Sequence, residues 1–187
     1  MSDLKTLITD LASRYHQDTI EIRRHLHQHP ELSKEEQQTA DFICTTLDSF
    51  GIPYKKGVAG FGIVGLIEGK NPGHRCIGLR ADMDALPVTE ENAVPYVSKE
   101  AGKMHACGHD VHMSSLLGAA RILNDIREQF EGSVKLIFQP SEESYPGGAI
   151  EMIKEGVLRR WQSRTTLPGM ALLQMHRMDM RTHCKRA

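Results

Sequence analysis

Cys76-Ile77-Gly78-Leu79-Arg80-Ala81-Asp82-Met83-Asp84-Ala85-Leu86-Pro87 is an apolar run that ends in two carboxylates and a proline. Residues 76–80 read as a strand, and the acids follow where that strand must turn. Side chains alternate along an extended chain, so Asp82 and Asp84 would face the same side. Two acids on one face repel unless a cation or an imidazole N–H stands between them. In open α/β sheets, ligands collect just beyond the carboxyl ends of strands. Taken alone, the pair also fits a solvated turn, so the surrounding sequence has to decide.

Working outward, residues 61–67 and 134–138 are further apolar runs bounded by Gly and Pro, and they predict two more strands. Residues 3–28 repeat Leu4, Leu7, Ile8, Leu11, Tyr15, Ile20, Ile22 and Leu26 near helical spacing, which predicts an amphipathic helix stopped before Pro30. Ser33 with Glu36 three residues on reads as a capping box. It would open a second helix through Ile43, Leu47 and Phe50, closed by Gly51. A helical stretch over 111–126 separates the second and third strands, and a short one covers 148–153. Helices alternating with apolar strands predict an α/β layered sheet. No internal repeat or low-complexity tract interrupts it.

Composition narrows the function classes. The chain has 187 residues, 40% of them hydrophobic and 25% charged, with a formal net charge of −1. That balance predicts a globular protein with no basic field for nucleic acid and no cationic face for a membrane. No apolar run is long enough to span a bilayer. Residues 1–12 alternate polar and apolar, unlike a secretory leader. Cys44, Cys76, Cys107 and Cys184 show no CxxC spacing, so free thiols in a reducing, cytoplasmic setting are expected.

The charge is not evenly spread. Residues 159–187 hold seven Lys/Arg and one acid, against sixteen basic and twenty-three acidic residues in 1–158, so the near-neutral total hides a −7 body and a +6 tail. No clean strand or helix period appears in 159–187, and that segment is expected to be a poorly ordered basic tail. The break resembles what a reading-frame change or a displaced chain end would produce. An intact mass measured on the natural product would test this.

Two more constellations carry chemistry. In Cys107-Gly108-His109-Asp110-Val111-His112, a thiol and an imidazole two residues apart suit a divalent metal of borderline softness. Gly108 allows the sharp turn that points both inward, and the following helix start favours a thiolate. The alternative is a set of solvent-facing His at a helix start. In Phe138-Gln139-Pro140-Ser141-Glu142-Glu143, a strand again ends in paired acids. One could bind a metal while the other works as a general base on water, or the pair could cap the next helix. His25 and His29 are four apart, as in a helical metal pair, but lack a Glu in zinc-protease spacing. Packing and hydrogen bonding at a helix end is the expectation for them and for His27.

These runs, with Arg24-His25-Leu26-His27-Gln28-His29-Pro30-Glu31-Leu32-Ser33 ahead of them, resemble one family in order and spacing over about residues 5–158. It is the group of metal-dependent amidohydrolases that includes hippurate hydrolase, bacterial N-acyl-amino-acid amidohydrolases and plant auxin-conjugate hydrolases, related to aminoacylase and carboxypeptidase-type two-metal exopeptidases. The resemblance implies a three-layer α/β zinc-exopeptidase-like catalytic domain, here incomplete. It implies two divalent ions, zinc or manganese, with Cys107 shared between them, His109 on one and Glu143 on the other. Glu142 would be the general base, and Asp84 and Asp82 supporting acids. The substrate would be a small N-acyl amino acid or a dipeptide-like amide.

The departures are equally specific. Members of that group are longer, with the catalytic domain split around an inserted lid and dimerisation domain. Their next ligand is a His at a strand end. The residue nearest in kind here is His176, which falls later and has different flanks. Two function classes follow, an amidohydrolase or part of one, and a non-catalytic remnant. A related two-metal dipeptidase or aminoacylase is the variant within the enzymes.

Overall fold

A computed structural model describes residues 3–159 and 170–174. The chain opens with helix α1 (Leu4–Gln28) and helix α2 (Gln37–Ser49), followed by strands β1 (Tyr54–Val58), β2 (Gly62–Glu68) and β3 (Cys76–Asp82). Helix α3 (His109–Asp125) and a 3-10 turn (Arg127–Gln129) lead to β4 (Ser133–Gln139), α4 (Gly148–Lys154) and β5 (Met170–Gln174). The strands form one sheet in the order β1-β2-β4-β3-β5. β1 and β2 pair antiparallel, as do β2 and β4, while β3 is parallel to both β4 and β5.

The sheet is covered on both faces, which makes three layers. On one side Ile63, Ile67, Ala81, Val134, Leu136 and Phe138 pack against Leu26 of α1, Ile43 and Leu47 of α2, and Met113, Leu116 and Leu117 of α3. On the other, Val64 and Ile137 meet Met152 and Val157 at α4. All seven residues of β4 are buried, as expected for a strand sandwiched between layers. Lys135 interrupts that apolar run. Its ammonium donates to the carbonyls of Val157 (2.5 Å) and Arg159 (2.7 Å) after α4, so the buried charge is hydrogen-bonded.

The parallel pairing of β3 and β4 positions the site. Asp82 lies in register with Gln139, so both strands deliver their terminal acids to the same sheet edge. The crossover between them runs through α3, whose first turn starts beside that edge.

Three features depart from the expectations. Ser33 and Glu36 do not form a capping box: Ser33 Oγ donates to Asp84 Oδ2 (2.6 Å), and Glu36 turns inward to Ser141. The first turn of α2 is capped instead by Glu31, which accepts from the amides of Gln38 and Thr39 and from Thr39 Oγ1. Glu31 satisfies amides that a helix leaves without intrahelical partners. β1 carries Lys55, Lys56 and a bulge at Gly57 (φ 76°), so it shows little apolar signal. Such charged, bulged strands are typical of sheet edges. β5 lies within 159–187, where no strand was expected, and pairs with Cys76–Arg80.

Candidate metal centre

Three chain segments meet at the carboxyl edge of β3 and β4. Gly108 sits at φ 84°, a left-handed conformation that favours glycine, and it starts α3 so that His109 enters buried at 2% exposure. His109 Nδ1 lies 2.7 Å from the backbone carbonyl of Asp84. A carbonyl only accepts, so Nδ1 carries the proton and Nε2 presents a lone pair. Nε2 faces Glu142 Oε2 at 3.9 Å and Glu143 Oε1 at 3.8 Å. Ligand atoms of Cys107, His109 and Glu143 all lie within 4.8 Å of one another. A thiolate, an imidazole and a carboxylate form a donor set suited to a borderline-soft divalent ion.

A second set, Asp82, His109 and His112, also brings its ligand atoms within 4.8 Å. His112 is one turn on from His109, its ring stacked on that of His109 at 5.3 Å, with Nδ1 3.5 Å from Asp82 Oδ2. Sequence reading did not single out His112. The signal was present, because residues three apart share a helix face. The other oxygen of Asp82 is held by Arg80, whose Nε also donates to Gln139 Oε1 at 2.6 Å.

Asp84 supports rather than faces the cluster. Its Oδ2 accepts from Ser33 Oγ (2.6 Å) and from the amide of Glu143 (2.9 Å). Burial opposes its charge, but bonding to His109, Ser33 and the Glu142 and Glu143 amides brings the carboxyl down to about 2. Its buried Oδ1 faces His109 Nδ1 at 3.4 Å without a well-aligned hydrogen bond, and both ring nitrogens of His105 are buried with no hydrogen-bond partner among the described residues. Burial pushes His105 down to about 4, so that ring is neutral. Glu142 shifts upward through burial and the neighbouring Asp82 and Glu143 carboxylates, the direction that suits a proton acceptor working near neutrality. For His109, burial is outweighed by Asp84 and Asp82, and the ring shifts upward.

The remaining histidines separate from the cluster. His25 stacks on Phe42 at 4.1 Å and lies 4.8 Å from His29, in keeping with helix-end packing. His27 is buried between Asp110 (2.8 Å) and Glu90 (2.9 Å), a link that local sequence does not reveal. Cys44 and Cys76 are buried, whereas Cys107 is exposed at the cluster. His176 and Cys184 lie outside the described residues.

The model of peptidase family M20/M25/M40 matches residues 78–179, past Leu158 where the motif resemblance was expected to stop. An N-acyl-L-amino acid amidohydrolase of Geobacillus stearothermophilus is 45% identical over 156 residues, which are 83% of this chain and 41% of that protein. The N-acetyl-L-cysteine deacetylase of Bacillus subtilis is 48% identical over 139 residues, 74% of this chain and 33% of the relative. Among solved structures, a Bacillus subtilis protein described as a dinuclear metal binding peptidase of the M20 family superposes with a TM-score of 0.74 at 40% identity, covering 79% of this chain and 41% of that one. The chain belongs to the M20/M25/M40 peptidase family. It spans between a third and about two-fifths of the length of the curated relatives quoted.

Proposed function

We propose that the chain carries the first part of a metal-dependent amidohydrolase site that cleaves the amide of small N-acyl amino acids. The carrying observation is the meeting of Cys107, His109 and Glu143 within 4.8 Å, with Glu142 beside them. The names of the relatives support the substrate class, and the dinuclear neighbour supports a pair of divalent ions, zinc or manganese. Cys107, His109 and Glu143 would hold them, with His176 a further candidate.

When bound, the ions would polarise the substrate carbonyl and acidify water. Glu142 would accept a proton at its carboxylate and deliver it to the leaving amine. Its 41% exposed side chain can reach a substrate from solvent, and its upward shift suits both halves of the transfer. Asp84 orients His109, and the Asp84–Glu143 bond holds the carboxylate of Glu143 toward the same space. Asp82 supports from the β3 edge.

The test is hydrolysis of hippurate by metal-loaded protein. Turnover should fall by about 10²–10⁴-fold in Glu142→Gln, the usual contribution of a general base. A second reading is a non-catalytic chain that binds metal weakly or not at all; finding no bound zinc or manganese by metal analysis would support it. No helix among the described residues is long and apolar enough to cross a membrane, and nothing in the charge pattern favours nucleic acid.

A further inference from the structure

We propose that Glu36 is a positioning residue that locks the Ser141 turn and thereby aims Glu142 and Glu143 at His109. The inference rests on the metal-site reading above and adds a residue to it. Adjacent residues of a strand point to opposite faces. Glu142 and Glu143 nevertheless both face His109 Nε2, at 3.9 and 3.8 Å. β4 has ended at Gln139 by this point: the backbone turns at Ser141, which takes φ 53°, and bends on through 142–144, so the strand alternation no longer applies to the two acids. A non-glycine residue holds that conformation only when its surroundings enforce it.

The enforcement comes from a loop more than one hundred residues away in sequence. Glu36, fully buried at 0% exposure, accepts from the amide of Ser141 (2.7 Å) and from its hydroxyl (3.2 Å). The amide of Lys34 donates to the same hydroxyl (3.0 Å), and the amide of Gly148 donates to the Ser141 carbonyl (3.0 Å). Every polar group of Ser141 is therefore engaged. One residue before Lys34, the same loop reaches the neighbouring strand end: Ser33 Oγ holds Asp84 Oδ2, which also holds the Glu143 amide. The 33–36 loop thus ties the ends of β3 and β4 to each other at the metal cluster. A helix cap would explain a carboxylate at the start of α2. It does not explain why Glu36 faces Ser141 while Glu31 performs the capping.

Full-length protein with Glu36→Ala, Glu36→Gln, Ser141→Gly and the Glu36→Ala/Ser141→Gly pair would be compared by two readouts. The first is amide hydrogen exchange. Glu36→Ala should speed exchange at Ser141 and Glu143 by about tenfold or more, while Leu117 of α3 and Leu136 of β4 keep their protection. Glu36→Gln, which retains an acceptor, should stay near wild type. The second is Co²⁺ affinity, which should fall by about 10–100-fold in Glu36→Ala, as for loss of other supporting groups. It should recover in part in the double variant, because glycine adopts the left-handed conformation unaided. Unchanged exchange at Ser141 and Glu143 in Glu36→Ala would overturn the proposal. So would a uniform loss of protection that neither Gln nor Ser141→Gly relieves. If Glu36→Ala does not fold, Glu36→Gln and Ser141→Gly alone still decide, since a clamp predicts near-native exchange in both. If wild-type protein binds no Co²⁺, the metal reading fails, and the exchange data still judge the clamp.

Discussion

The imidazole of His109 donates Nδ1–H to the backbone carbonyl of Asp84 over 2.7 Å, and the Asp84 side chain holds the amide of Glu143 over 2.9 Å. One residue therefore sets the tautomer of one candidate ligand and the backbone of another. Removing its charge in Asp84→Asn should weaken Co²⁺ or Zn²⁺ binding by about 10–100-fold, the usual effect of losing an orienting partner. It should also lower the denaturation midpoint, because breaking a buried charged network costs about 3–5 kcal/mol. Competition titration against a chelating dye and urea unfolding read the two effects separately.

Helix α2 offers a test in which two neighbouring residues should behave differently. Glu31 caps it through Gln38 and Thr39, so Glu31→Ala should cost about 1–2 kcal/mol, as losing a cap does. Ser33→Ala should leave helix stability nearly untouched and act instead on the metal cluster, because its hydroxyl holds Asp84. Urea unfolding paired with metal titration distinguishes the two roles.

The buried His27 gives the stability a pH dependence of known sign. Its bond to Asp110 raises it, burial opposes, and Glu90 raises it further, so the folded value lies above the ordinary 6.5. Arg23 pairs with the same Asp110 oxygen, and the Tyr96 ring meets His27 edge-on. A group raised on folding contributes most below its unfolded value and loses that contribution as pH rises through its folded value. The stability gap between wild type and His27→Gln should therefore be wider at about pH 6 than at about pH 9. An equal gap at both values contradicts the assigned ion pair.

Helices α1 and α3 and strands β2, β3 and β4 were legible because their apolar positions repeat at helical spacing or form short uninterrupted runs. β1 was not, since Lys55, Lys56 and a bulge give an exposed edge strand no apolar pattern. The chemical motifs were legible because Cys107, His109 and the acids after β3 and β4 are strand-end or helix-start residues of unusual type. Their tertiary partners were not. Ser33 to Asp84, Glu36 to Ser141 and His27 to Asp110 span 51, 105 and 83 residues, and local propensity carries no trace of such pairs. The Ser33/Glu36 pattern misled for the same reason: both side chains are drawn away from the helix end by buried groups that arrive from β3 and β4.

Two sets of candidate donors meet at His109. Cys107 and Glu143 form one with it, and Asp82 and His112 the other. Only the first contains sulfur. Cobalt distinguishes them directly, because a thiolate ligand adds a near-ultraviolet charge-transfer band to the visible spectrum. Titrating the full chain with Co²⁺ should produce that band, and Cys107→Ser should abolish it. Affinity should drop by about 100-fold or more in Cys107→Ser and His109→Ala, as ligands are lost from a small set. A spectrum without the band, or binding indifferent to both substitutions, would contradict the assignment of the metal centre to Cys107, His109 and Glu143.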